Sequence, residues 1–303
     1  MRVGEPDLKP GGAALPCFAI VVPCLNQGSY LGQALESLVS QDYPALEIVV
    51  MDGGSSDRSR DVIEAFSGHL AFWQSQPDGG QGAAINEGLA HTRGDLVGWL
   101  NADDLLLPGA LWRVAHARVR HPDQGLHIGN GLRQREPAGQ RLPFTRRHLA
   151  HNRRALAHGI DYVLQPATFF SRDAWNEVGG LRTELRYAMD WDIILRIGNK
   201  HKTLIINECL AVSREHGQTK TRLGGWERLR EIMAVSQQHS GERLTPGAVH
   251  YLFETLLDSI DGSWESVKRP ALVAFAAAHE GLRSLAGNAD GFPVDGDSQD
   301  TVD

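Results

Sequence analysis

The chain has 303 residues, 42% of them apolar, which suits one large α/β domain with an appendage or two domains. A net charge of −7 offers no basic footprint and argues against general nucleic-acid binding. No stretch is apolar and long enough to span a bilayer, and Met1 to Pro16 lacks the apolar core of a signal peptide. Cys17, Cys24 and Cys209 have no metal-ligand spacing and fit reduced thiols of a cytoplasmic protein.

Residues 1–15 are rich in Gly and Pro and are expected to be flexible. Phe18 to Val22 predicts a first strand, and Leu31, Leu35, Leu38 and Val39 recur at helical spacing. Leu46 to Met51 predicts a second strand with Asp52 at its end. Arg58 to Phe66 reads as a helix, Leu70 to Trp73 as a short strand, and Gln81 to His91 as a helix after the break at Gly79-Gly80. Leu96 to Leu100 is a fourth strand, followed by Asn101-Ala102-Asp103-Asp104. This alternation predicts a mostly parallel sheet with helices on both faces. A Gly-x-Gly-x-x-Gly turn is absent after the first strand, where Pro23-Cys24-Leu25-Asn26-Gln27-Gly28 stands, and so is a P-loop.

The second half is less regular. Gly109 to His121 predicts a helix, Ala167 to Ser171 a strand, and Asp173 to Val178 a helix ended by Gly179-Gly180. Asp190 to Ile197 reads as a helix and Lys202 to Ile206 as a strand. Helices are expected over Trp226–Gln238, Gly247–Leu257 and Trp264–Leu285, and residues 287–303 form an acidic tail of disordered composition. The expected organisation is therefore 1–15, a nucleotide-binding domain over 16–221, a helical region over 222–286, and the tail. A basic stretch holds Arg141, Arg146, Arg147, His148, His151, Arg153 and Arg154; a solvated charged helix is favoured there over contact with an anionic membrane surface.

The chemistry concentrates in carboxylates at predicted strand and helix ends: Asp52, Asp103, Asp104 and Asp190. Alone, each has an ordinary use, as a turn former or as the N-cap of a following helix. Together they suit an acidic cleft at the carboxyl ends of parallel strands, where a cation and a phosphate ester are held and a spare carboxylate acts as base.

Several segments, taken in order over about residues 17–220, resemble family 2 glycosyltransferases of the GT-A fold. Phe18 to Asn26 (FAIVVPCLN) resembles the family's first strand and turn, and Glu47 to Asp57 (EIVVMDGGSSD) its second-strand acidic loop. Gln76 to Gly88 (QPDGGQGAAINEG) is similar to the segment before the third helix, and Gly94 to Asp104 (GDLVGWLNADD) to the metal-binding strand end. Gln165 to Phe170 (QPATFF) resembles the acceptor-side strand, Gly179 to Arg196 the start of the catalytic helix, and Arg214-Glu215-His216 the segment that closes over the diphosphate.

The resemblance implies an inverting, metal-dependent transfer of one sugar from a nucleotide-diphosphate sugar to an acceptor hydroxyl, in polysaccharide, glycolipid or natural-product assembly. It implies Asp190 as the base, and Pro23, Asn26, Asp52, Asp78, Asn86, Asn101 and Asp103 around the nucleotide sugar. Asp104 and His216 would hold Mn²⁺ or Mg²⁺, with Asp103 nearer the ribose. Gln165, Gly180 and Trp191 would line the acceptor or donor-sugar pocket, with a core role for Trp191 equally weighted. The C-terminal helices are expected to serve acceptor binding or a homodimer. Asn101 replaces the family's first metal-motif Asp, Gly53 its second loop Asp, and Met189 its frequent Glu. No Gln-x-x-Arg-Trp motif is present, so the resemblance is to non-processive members. The competing expectations are a sugar-nucleotide nucleotidyltransferase, whose Gly-rich basic loop is missing from 24–30, and a non-catalytic nucleotide-sugar binding module.

Overall fold

The computed structural model describes residues 14–136, 139–144, 152–159, 162–217, 219–220, 224–259 and 301–302. A single mixed sheet organises them, in the strand order Thr301–Val302, Lys202–Glu215, Gln124–Arg135, Thr168–Ser171, Leu96–Trp99, Phe18–Cys24, Leu46–Asp52 and Phe72–Ser75. Its first half is the predicted alternation: β1 (Phe18–Cys24), α1 (Leu31–Val39), β2 (Leu46–Asp52), α2 (Ser59–Phe66), β3 (Phe72–Ser75), α3 (Gln81–Ala90) and β4 (Leu96–Trp99). β1 pairs in parallel with β2 on one side and with β4 on the other. The chain thus winds outward from β1 to β3 and then crosses back, which places a topological switch point between β1 and β4.

Burial explains why these segments are strands. All seven residues of β1 are buried, as expected where helices cover both faces of a parallel sheet. Ala19 and Val21 enter one core with Val49, Met51 and the α3 residues Ala84, Ile85 and Leu89. Phe18, Ile20 and Val22 enter the other, against the α1 face of Leu31, Ala34, Leu35 and Leu38. Truncating any of these fully buried leucines to alanine costs about 2–5 kcal/mol.

The second half adds β5 (Leu105–Leu106), α4 (Ala110–Arg120), β6 (Gln124–Arg135), β7 (Gln140–Pro143), α5 (Arg153–Ala157), β8 (Thr168–Ser171) and α6 (Arg172–Val178). Then come α7 (Met189–Gly198), β9 (Lys202–Glu215), α8 (Gly225–Ser240), α9 (Pro246–Ser259) and β10 (Thr301–Val302). β8 runs antiparallel between β4 and β6, and β6 pairs in parallel with β9 through register shifts around Gly129 to Gly131.

The twelve-residue β6 lies inside a stretch whose sequence reads as irregular. Glycines 125, 129 and 131 depress its strand signal. They are required by close packing, since a Cβ at Gly131 would stand 2.3 Å from Leu164 Cδ2 and 2.6 Å from the Ala211 carbonyl oxygen. β3 begins two residues later than expected, and β9 extends nine residues beyond the predicted Ile206. Arg141 lies in β7 and Arg153 and Arg154 in α5, so the basic stretch is not one helix; 145–151 fall outside the described residues. The expected helix over 264–285, the tail apart from β10, and residues 1–13 also lie outside them. Among the described residues no helix is long and apolar enough to cross a membrane.

Candidate active site

The carboxyl ends of β1, β2, β4 and β9, the start of α3, the turn before β8 and the start of α7 meet at one edge of the sheet. Asn101 to Asp104 form a turn between β4 and β5, and α4 begins later, behind Gly109. The N-cap reading of Asp103 and Asp104 is therefore corrected: neither carboxylate caps a helix.

Asp104 is 4% exposed. Its Oδ2 accepts from Asn101 Nδ2 at 3.0 Å and its Oδ1 from the Arg214 backbone N–H at 3.1 Å. Burial and then the neighbouring Asp103 push its carboxyl up to about 7. Asp103 is more open, and its Oδ2 stands 3.1 Å from His216 Nε2. His216 stacks on the Tyr30 ring at 4.6 Å, and the Arg214 guanidinium covers the same ring at 4.9 Å. Arg214 donates to the Asp103 carbonyl and to Gln33 Oε1, while its buried Nη2 meets no hydrogen-bond acceptor among the described residues.

Asn101 ties this corner to Gln165, in the turn before β8. Its Nδ2 also donates to Gln165 Oε1 at 3.1 Å, and Gln165 Nε2 donates to the Trp99 carbonyl at 2.9 Å. Asn101 Oδ1 accepts from Gln81 Nε2 at 2.8 Å, and Gln81 Oε1 accepts from Lys220 Nζ at 2.7 Å. Burial pulls the Lys220 ammonium below its ordinary range, with Asp190 and Glu231 pushing it back up and Arg186 adding to the lowering. Asp190 is half-buried at the start of α7, its Oδ1 accepting from the Trp191 N–H at 2.8 Å. Two Gln81 hydrogen bonds therefore connect the Asp103–Asp104 corner to Lys220, which senses the Asp190 charge.

The other predicted residues fall into separate groups. Pro23 is buried in β1. Asp52 is 1% exposed, and its carboxylate accepts from Ser55 N–H at 3.0 Å, from the Ser55 hydroxyl and from Ser75 Oγ at 2.6 Å. Asn26, in the left-handed region at φ 53°, caps the same loop by accepting from Ser56 N–H at 2.8 Å. Asp78 is exposed, with Oδ1 on the Gly80 N–H at 2.7 Å and Oδ2 facing Gly53, where a Cβ would come within 3.1 Å.

Asn86 spends both ends of its amide on Leu181, donating to its carbonyl at 2.8 Å and accepting from its N–H at 2.9 Å. Gly180, at φ 71°, lets the chain turn beneath that amide. Trp191 is 8% exposed and its indole N–H donates to the Leu156 carbonyl at 3.0 Å. It is a core residue, which is the second of the two roles weighed for it in the sequence, and its place in a sugar pocket is set aside. The next residue, Asp192, is fully buried between Arg196 at 2.6 Å, Arg182 at 3.2 Å and His239 at 3.2 Å.

Gln81, Lys220, Tyr30 and Glu231 are missed by sequence reasoning. Gln81 carries a usable signal, as the first helical residue after Gly79-Gly80; the others depend on tertiary neighbours.

Among the described residues no three His, Cys, Asp or Glu side chains gather as a metal cage. Asp103 and His216 form a two-donor set of one carboxylate and one imidazole. That set would suit a divalent cation held jointly with a phosphate-bearing ligand.

A family model described as "Glycosyl transferase family 2" matches residues 19–179, more than half of the chain. An uncharacterized glycosyltransferase of Rickettsia typhi is 22% identical over 259 residues, covering 82% of this chain and 76% of that protein. The crystal structure of S. aureus TarS 1–349 in complex with UDP-GlcNAc is similar at a TM-score of 0.60 and 17% identity, covering 89% of this chain and 86% of that one. Mannosyltransferase PcManGT from Pyrobaculum calidifontis, in complex with GDP-Man and Mn²⁺, gives a TM-score of 0.59 at 15% identity, covering 92% and 89%. At these identities the two structures establish a shared glycosyltransferase fold.

Proposed function

The chain belongs to glycosyl transferase family 2, and we propose that it is an inverting, metal-dependent enzyme that moves one sugar from a nucleotide-diphosphate sugar to an acceptor hydroxyl. The observation that carries this reading is the Asp103–His216 pair beside the buried Asp104, joined by hydrogen bonds through Asn101 and Gln81 to Lys220, whose ammonium senses the Asp190 charge. A polar chain of this kind joins a diphosphate corner to a base across one cleft.

We divide the labour differently from the sequence expectation, on the hydrogen bonds of these side chains. Asp103 and His216 are the residues we assign to Mn²⁺ or Mg²⁺. Asp104 has one oxygen bonded to Asn101 and the other to the Arg214 backbone, and it serves to hold the turn. A bound divalent cation supplies charge stabilisation for the departing nucleotide diphosphate. Asp190 takes the proton of the acceptor hydroxyl in the transition state. Attack from the face opposite the leaving group inverts the anomeric centre and needs no enzyme nucleophile. Asp52, Asn26 and Asp78 shape the loop we assign to the nucleoside. The TarS complex with UDP-GlcNAc and the PcManGT complex with GDP-Man and Mn²⁺ support a nucleotide-sugar donor and divalent metal use.

The Asp190→Asn variant tests the base. Transfer is expected to fall by about 10²–10⁴-fold, with nucleotide-sugar binding by calorimetry unchanged; full activity would overturn the assignment. Mn²⁺ titrated with and without nucleotide tests the two-donor site. Tight binding is expected only with nucleotide present, and equal binding in its absence would count against it. NMR of the product anomeric centre checks inversion.

A further inference from the structure

We infer that helix α8 is part of the catalytic unit, with Glu231 as a positioning residue for Asp190. This rests on the reading of Asp190 as the base.

The segment Arg186-Tyr187-Ala188 leads directly into α7, two residues before Asp190. Ala188 is the N-cap of α7, whose amide has no partner within the helix, and Arg186 and Tyr187 precede it, so all three N–H groups need a partner from outside α7. Glu231 supplies one from another helix. Its Oε2 accepts from Arg186 N–H at 2.9 Å, Tyr187 N–H at 2.6 Å and Ala188 N–H at 3.1 Å, and its Oε1 also lies 2.9 Å from Arg186 N. A carboxylate bonded to consecutive amides at a helix start is a charge-assisted cap, stronger than a neutral one and favoured by the helix dipole.

The same helix grips this region at further points. Gln238 accepts from Arg182 at 2.7 Å, and His239 stands 3.2 Å from Asp192. Ala188 and Met189 are buried in the core that also holds Ile232 and Val235 of α8. Both ends of the loop that presents Asp190 are thus fixed to α8, and the matched family model ends before it, at residue 179. Lys220, in turn, feels the charges of both Glu231 and Asp190. The carboxylate that holds the amides also belongs to the electrostatic surroundings of the base.

A shift of about 1 Å in a reacting group costs on the order of 10²-fold in rate. Removing the cap loosens Asp190. The Asp103–His216 corner is built instead from the β4–β5 turn, the end of β9 and Tyr30 before α1, so its nucleotide affinity is expected to hold when the cap is removed.

The test uses the full chain and three substitutions. Glu231→Asp draws the carboxylate back by one methylene and keeps its charge. Glu231→Ala removes the cap. Glu231→Gln keeps one oxygen for the three amides. The expected result is a kcat lowered about 10–100-fold in Glu231→Ala and Glu231→Asp, with Mn²⁺-dependent nucleotide affinity within about twofold of the parent and kcat in Glu231→Gln within about fivefold. If Glu231→Ala fails to fold, Glu231→Asp decides. A Glu231→Asp variant with parental kcat would overturn the inference, as would loss of nucleotide affinity in parallel with kcat. Asp190→Asn is measured alongside. If it is inactive and Glu231→Asp is fully active, only the role of Glu231 fails; if Asp190→Asn is itself active, the base assignment fails and the inference with it.

Discussion

Two aspartates of this protein each face a histidine at nearly the same distance: Asp103 lies 3.1 Å from His216, and Asp192 lies 3.2 Å from His239. Their surroundings differ. Asp192 is enclosed with two guanidiniums, Arg196 and Arg182, and its oxygens are bonded on both sides. Burial would raise its carboxyl, but the His239 hydrogen bond and the two arginines hold it below the ordinary carboxylate range. The Asp103–Asp104 corner has two carboxylates side by side, and Asp104 is pushed up to about 7. A charge balanced within the protein locks helices together. A carboxylate pair that shares one guanidinium, Arg214, and one imidazole is where a cation and a phosphate can be accommodated.

The comparison breaks most sharply on Asp192→Ala. It would strand Arg196 and Arg182 beside a cavity and is expected to destabilise the fold by about 3–5 kcal/mol, read from denaturant midpoints. A variant of parental stability would show that the network is ornamental. Asp103→Asn is expected to behave in the opposite way. Transfer should drop on the order of 10²–10³-fold, with stability within about 1 kcal/mol because Asp103 is partly exposed. Unfolding of this variant would place Asp103 in the scaffold instead.

The contrast should also appear as opposite pH slopes for Asp104 and Asp192. Asp104 is raised in the fold, so an unfolded chain releases its proton first, near pH 4. Its contribution is present at acid pH and lost as pH climbs from there to about 7. Asp192 is depressed, so its contribution is present above the unfolded value and lost as pH falls below about 4. Denaturant midpoints of Asp104→Asn across pH 4–8 should show a flatter decline than the parent. Saturating Mn²⁺ with nucleotide should flatten the parent's own decline, since ligands of the native state favour ionised carboxylates there. An unchanged slope in Asp104→Asn would remove Asp104 from the account.

The smallest effect concerns Asn101. Its amide donates to both Asp104 and Gln165 and accepts from Gln81. Asn101→Asp loses both donations and adds a third carboxylate, with an expected loss of about 1–3 kcal/mol. A gain in metal affinity large enough to reverse that loss, seen as a higher melting temperature with Mn²⁺ and nucleotide, would show that the amide limits the site.

Much of the fold is legible in the chain. The apolar runs of β1, β2 and β4 and the spacing of Leu31, Leu35 and Leu38 predict their elements, because each segment carries its own burial pattern. The motifs around Asp52, Asp103 and Asp190 place these carboxylates at element ends. β6 is hidden, since Gly125, Gly129 and Gly131 exist to admit His201, Leu210 and Leu164 from elsewhere in the chain. Trp191 could stack or pack by sequence alone, and the Leu156 carbonyl that receives its indole N–H lies 35 residues away.

Periodicity and local turn chemistry are short-range properties, so the residue order alone specifies the strand–helix alternation and the set of carboxylates at its element ends. The division of labour among those carboxylates is a matter of tertiary contact. Asp190 and Asp192 are two residues apart on one helix, yet one acts on the charge of Lys220 and the other is enclosed by Arg182, Arg196 and His239. The charge around a carboxylate comes from residues distant in the chain, and only folding brings them together.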